Sequence, residues 1–144
     1  MAMKTLEYLR GISPEDCQRL RERGIRHTNQ LLHATTLGID RDRLARRSGI
    51  SADRLLEFGR QCALLEISGV ERFLPVLRRL GITGLRELKI QDAAALHRSV
   101  ADAVGMAGAP GLEAAQYWIS QARVIDVLEE PVPVPVEAPA SRLR

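Results

Sequence analysis

At 144 residues with 21 Lys/Arg against 18 Asp/Glu, the chain has a net charge of +3; it is long enough for one core and needs neither a disulfide framework nor a structural metal to fold. Leu, Ala, Ile and Val supply most apolar residues, beside two Phe, two Tyr and one Trp, a balance that favours helix over an aromatic β core. No run approaches the roughly 20 apolar residues of a membrane span, and the opening MAMKTLEYLR lacks the apolar stretch of a secretion signal, so a cytoplasmic protein with no membrane partner is expected.

Ser13-Pro14 with Glu15 and Asp16 predicts a helix start: a capping hydroxyl, proline at the first helical position, and acids against the dipole. That helix carries Cys17 and Leu20 and stops at Gly24. Thr28 is expected to cap a brief helix with Leu31 and Leu32, and Asp40 to start another that ends near Gly49. Ser51 opens a longer helix with Leu55, Phe58, Cys62 and Leu65 at helical spacing. From Gly69-Val70 a helix carries Phe73, Leu74, Leu77 and Leu80 and stops at Gly81, while Pro75 predicts a late start or a kink. Thr83 is expected to cap a short helix with Leu85 and Leu88, and Asp92 to start one with Ala95, Leu96 and Val100. The turn from Gly105 to Gly111 precedes a last long helix with Ala115, Trp118, Ala122 and Ile125. After Glu130, PVPVPVEAPASRLR cannot continue a helix and reads as an extended or flexible tether.

The second series of signals repeats the first. Gly11-Ile12 matches Gly69-Val70, Gly24-Ile25 matches Gly81-Ile82, Leu31 matches Leu88, and Phe58 with Gln61 matches Trp118 with Gln121. An internal duplication explains these matches in order, and divides the chain into residues 1–65, residues 66–130 and a Pro-rich tail, 131–144. The charge is unequal: residues 1–65 carry 12 Lys/Arg against 8 Asp/Glu, and residues 66–130 carry 7 against 9. A basic first half suits a polyanion partner, although solvated Arg-rich helix faces have the same composition.

Four Gly-apolar turns recur between helical segments: Gly11-Ile12-Ser13, Gly49-Ile50-Ser51, Gly69-Val70-Glu71 and Gly105-Met106-Ala107. With the run LRGISPEDCQRLRERGI, they resemble the helix-hairpin-helix family, and the tandem arrangement over about residues 5–128 resembles a bacterial family named domain of unknown function 4332. The resemblance implies an all-α fold in which two tandem pseudo-repeated helix-hairpin-helix pairs pack into one compact domain. It also implies sequence-independent contact with the backbone of DNA or RNA, with turn N–H groups facing a phosphate and basic side chains beside them. The matching positions are Gly11, Ile12 and Ser13 with Gly49, Ile50 and Ser51, flanked by Arg10, Arg19, Arg46, Arg47 and Arg54.

This chain departs from the family pattern where the second turn glycine is replaced by Ser13 and Ser51, which can cap the helix and take the N–H groups a phosphate would use. Glu71 near the third turn would repel phosphate, and the fourth turn has no nearby Lys or Arg, so nucleic acid is expected on the first half. The glycines alternatively serve only to permit tight connections. His27, His33 and His97 lack metal-ligand spacing, Cys17 and Cys62 fit buried thiols, and Trp118 fits the core better than a base-stacking platform. No carboxylate cluster, phosphate loop or nucleophile elbow is visible, so a non-enzymatic protein without metal or cofactor is expected. The competing reading is a protein-interaction adaptor using the second half or residues 131–144, and the sequence leaves the oligomeric state open.

Overall fold

A helix begins where some group satisfies its first free N–H groups. In the computed structural model, which describes residues 3–131, this is done locally at three starts. Helices α1 (Pro14–Glu22), α4 (Ala52–Leu65) and α7 (Ala93–Val104) follow Ser13, Ser51 and Asp92, whose side-chain oxygens accept the N–H of Asp16, Arg54 and Ala95. These are the starts the sequence predicts. The final helix, α8 (Leu112–Ile125), follows Gly111, also as expected.

Three other starts differ from expectation. Helix α2 (Thr28–Thr35) is preceded by His27, because Gln30 Oε1 reaches back to the His27 N–H at 3.1 Å, while the Thr28 hydroxyl accepts the Lys4 N–H at 3.0 Å. Helix α3 (Gly38–Ser48) begins before Asp40, with the Gly38 N–H donated to Glu129 Oε1 at 2.6 Å. Helix α6 (Leu85–Lys89) is preceded by Gly84 rather than Thr83. Helix α5 (Leu74–Arg79) starts late, with Pro75 in its first turn, and a 3-10 turn at Val70–Arg72 separates it from Gly69. The regular elements among the described residues are thus all helices, with one isolated bridge between Thr5 and His27.

Each half closes in a similar way: α4 packs on α2 and α3, and α8 packs on α6 and α7. Because α4 also contacts α5 and α6, it joins the two halves. One apolar cluster runs from Leu6 to Ala122 and draws residues from both, including Leu31, Phe58, Leu64, Leu88 and Trp118. Each fully buried large apolar side chain contributes about 1.5–3 kcal/mol. Cys17 and Cys62 are free and lie in this cluster, where burial pushes both thiols up in pKa. The Pro-rich reading of residues 132–144 falls outside the described residues.

Among non-helical features, six glycines have positive φ: Gly11, Gly24, Gly49, Gly69, Gly81 and Gly105. They are turn and stop glycines named in the sequence, and no other described residue has positive φ. After α8, residues 126–130 run back as a strap over the first half, where Leu128 is buried and Glu129 N–H donates to the Thr36 carbonyl at 2.7 Å.

Candidate nucleic-acid interface

The first glycine turn is occupied by the chain itself. Ser13 Oγ accepts the Asp16 N–H at 3.0 Å, and Asp16 Oδ2 accepts the Ser13 N–H at 3.0 Å, a reciprocal capping box. The Asp16 carboxylate, 3% exposed, also receives Arg54, whose Nη1 lies 3.0 Å from Oδ1. A second Arg54 nitrogen donates to the Gly11 carbonyl at 3.3 Å. The Arg54 guanidinium, with the capping N–H of Ser13, holds the Asp16 carboxyl below its usual pKa against the opposing effect of burial. An anion already sits on this turn, and Arg54 neutralises it. Ile12 is half-buried against the core, and Arg10 is held through its backbone by buried Gln61, which accepts the Arg10 N–H at 2.8 Å and donates to its carbonyl at 3.0 Å. The Arg10 side chain is exposed beside Gly11, Arg54 and Arg78, together with Asp53 and Glu57.

The second turn is different. Gly49 takes a left-handed conformation and its N–H closes α3 on the Ala45 carbonyl, while the N–H of buried Ile50 donates to Ser48 Oγ at 3.1 Å. Ser51 Oγ takes only the Arg54 N–H, at 3.2 Å. The N–H groups of Ser51, Ala52 and Asp53 have no partner among the described residues, although the Asp53 carboxylate adds a negative charge to the same helical turn. Arg19, from α1, places Nη1 3.7 Å from where a Cβ on Gly49 would stand.

Arg23, Arg43 and Arg47 line one cleft of about 280 Å³ together with Asp40, Ile25, Ala34 and Leu44. Arg19 and Arg23 are four residues apart on α1 or its end, as are Arg43 and Arg47 on α3, so each pair shares a helix face. Arg43 reaches Asp40 at 3.2 Å, whereas Arg19, Arg23, Arg46 and Arg47 have no carboxylate within 4.0 Å among the described residues. Arg46 is exposed on α3 but does not line the cleft. The structure therefore brings Arg47 together with Arg23 and Arg43, which the sequence reading left out of its site, while Arg19 stands by itself at Gly49. The missed signal was the four-residue spacing on two helices whose adjacency only the fold supplies.

The third and fourth turns carry no such basic cluster. Glu71 Oε1 accepts the Gly69 N–H at 3.0 Å, so this turn too is filled by a carboxylate. Between the two turns lies a cleft of about 530 Å³ lined by Phe73, Tyr117, Trp118 and Pro110, with Arg72 and Glu113 at its sides. Trp118 is 2% exposed and its ring pairs with Phe73 at 5.5 Å, which places it in the core as expected. Among the described residues, no group of three or more His, Cys, Asp or Glu side chains is placed to hold a metal ion, and no helix is long and apolar enough to cross a membrane.

Residues 10–125 match the family described as Domain of unknown function (DUF4332), which covers all four glycine turns. No curated protein and no solved structure matches the chain.

Proposed function

We propose, for a chain that belongs to the DUF4332 family, a non-catalytic role in the cytoplasm: sequence-independent contact with the DNA backbone through the α1–α3 face and the Gly49 turn. The observations that carry this reading are the convergence of Arg23, Arg43 and Arg47 in one cleft, and Arg19 beside the Gly49 turn, where a helix starts with unpartnered N–H groups among the described residues. Arg19, Arg23 and Arg47, free of carboxylates among the described residues, are available to phosphates, and helix N–H groups add orientation without reading bases. The helix-hairpin-helix likeness supports the same ligand, but the Gly11 turn, with Asp16 and Arg54 locked together, is a structural element in this reading.

Fluorescence anisotropy of a labelled duplex tests it. Binding is expected at low salt, with log-log salt dependence reporting the phosphates engaged. Arg23→Glu with Arg47→Glu should weaken binding at least about tenfold and flatten the slope by about 2, while Arg98→Glu on α7 should leave both unchanged. Absence of binding at low salt, or an unchanged double variant, overturns the proposal. A second reading, a protein-interaction module, is favoured by one separate observation, the aromatic cleft at Tyr117 and Trp118.

A further inference from the structure

We infer that the cleft between the Gly69 and Gly105 turns is a docking groove for the Val-Pro repeat, residues 132–136, of a second copy of this chain. The cleft, of about 530 Å³, is lined by Tyr117, 46% exposed, and Pro110, with the edges of the buried Phe73 and Trp118 pair behind them. Aromatic grooves recognise proline-rich segments because the ligand is already extended, so little freedom is lost on binding, and its pyrrolidine rings lie flat on aromatic faces. The chain carries such a ligand. Pro131, Pro133 and Pro135 alternate with Val132, Val134 and Val136, and each proline fixes φ near −65°. Charges match at the ends as well: Arg72 flanks the groove and Glu137 follows the repeat, while Glu113, without an ion pair among the described residues, is available to Arg142 or Arg144.

The anchoring of Pro131 favours a neighbour's tail over the chain's own. The groove lies along the first half of α8, from Glu113 to Trp118, and the strap leaves the opposite end of that helix. Trp118 to Ile125 already spans about 10 Å. Beyond it, Glu129 is fixed on Thr36 and Gly38, and Glu130 on Arg60, all in the first half. The repeat starts at the next residues, so its point of attachment lies on the first half. A second copy carries no such restriction, and reciprocal exchange of two tails closes a twofold dimer.

Sedimentation velocity of the full chain across a wide concentration range tests this inference, which stands independently of nucleic-acid binding. Wild type should pass from monomer to dimer. Tyr117→Ala, on an exposed residue, and the triple variant Val132→Ser, Val134→Ser, Val136→Ser should each raise the dissociation constant at least about tenfold. Mixing the two variants should restore a heterodimer, because one retains the tail and the other the groove. Trp118 is the only tryptophan, so its emission should change with concentration in wild type and stay constant in the triple variant. A wild-type chain that stays monomeric, a dimer insensitive to both variants, or a tail-dependent emission change that ignores concentration would each overturn the proposal.

Discussion

Asp16 is 3% exposed, yet it is charged, accepts the Ser13 N–H and is met by two nitrogens of Arg54. Those partners, Arg54 foremost, lower its folded pKa relative to an unfolded carboxyl. Stability from Asp16 is therefore fully present above the ordinary carboxylate pKa and is lost as the pH falls through the depressed folded value. Asp16→Ala removes a capping acceptor and leaves Arg54 without its carboxylate; because Arg54 is 45% exposed, a loss of about 2 kcal/mol is expected at neutral pH. Urea unfolding should show this gap at pH 7 and a narrower gap near pH 3. An equal gap at both would mean that the charge contributes nothing. Gln61 presents a neutral counterpart of the same principle. Fully buried, it closes two hydrogen bonds on the Arg10 backbone, and Gln61→Leu should cost about 1–3 kcal/mol by leaving both groups unpaired, measured by the same titration.

At the scale of elements, α2 and α4 cross closely at Gly59 and Thr35. A Cβ on Gly59 would stand 2.7 Å from Thr35 Oγ1, and Thr35 is fully buried with its hydroxyl donating to the Leu31 carbonyl at 2.7 Å. Neither partner can retreat easily, so Gly59→Ala should force the helices apart and cost about 1–3 kcal/mol despite alanine's better helix propensity. Thermal unfolding followed by circular dichroism would show it; a stabilised Gly59→Ala would mean that the crossing yields freely. Ser13, Ser51 and Asp92 were legible as helix starts because cap and capped N–H lie three residues apart. The α3 start was not, because its Gly38 N–H is held by Glu129 from 91 residues away. Thr28 looked like a cap, but the Thr28 hydroxyl accepts the Lys4 N–H. In the candidate site, Arg19 and Arg47 were recognisable as basic residues near a turn, whereas the meeting of Arg47 and Arg43 with Arg23 required the end of α1 to be placed beside α3. Arg54 was expected to face phosphate; its engagement by Asp16 is likewise a long-range contact.

The whole molecule depends on a segment that secondary-structure signals pass over. Residues 126–130 contain no helix, yet they tie the end of α8 to four other places. Asp126 pairs with Lys89 at 2.7 Å, Leu128 is buried beside Gly59, Glu129 binds Thr36 and Gly38, and Glu130 pairs with Arg60 at 2.7 Å. The strap therefore closes the second half onto the first at the points where α2, α3 and α4 meet. Burial of Leu128 contributes about 2 kcal/mol, and the cap on Gly38 about 1 kcal/mol, with less from the partly exposed ion pairs. Two substitutions separate these contributions. Leu128→Ala should lower stability by about 2 kcal/mol or more through the cavity it leaves. Glu129→Ala should cost about 1 kcal/mol, and Glu129→Gln should recover much of that, because its amide oxygen still accepts the Gly38 N–H. Hydrogen exchange locates the effect: faster exchange in the first turn of α3 for Glu129→Ala, with α7 unchanged, means that the strap caps a distant helix. Uniformly faster exchange across both halves would instead mean that strap and domain unfold as one unit and that Glu129 has no separate capping role.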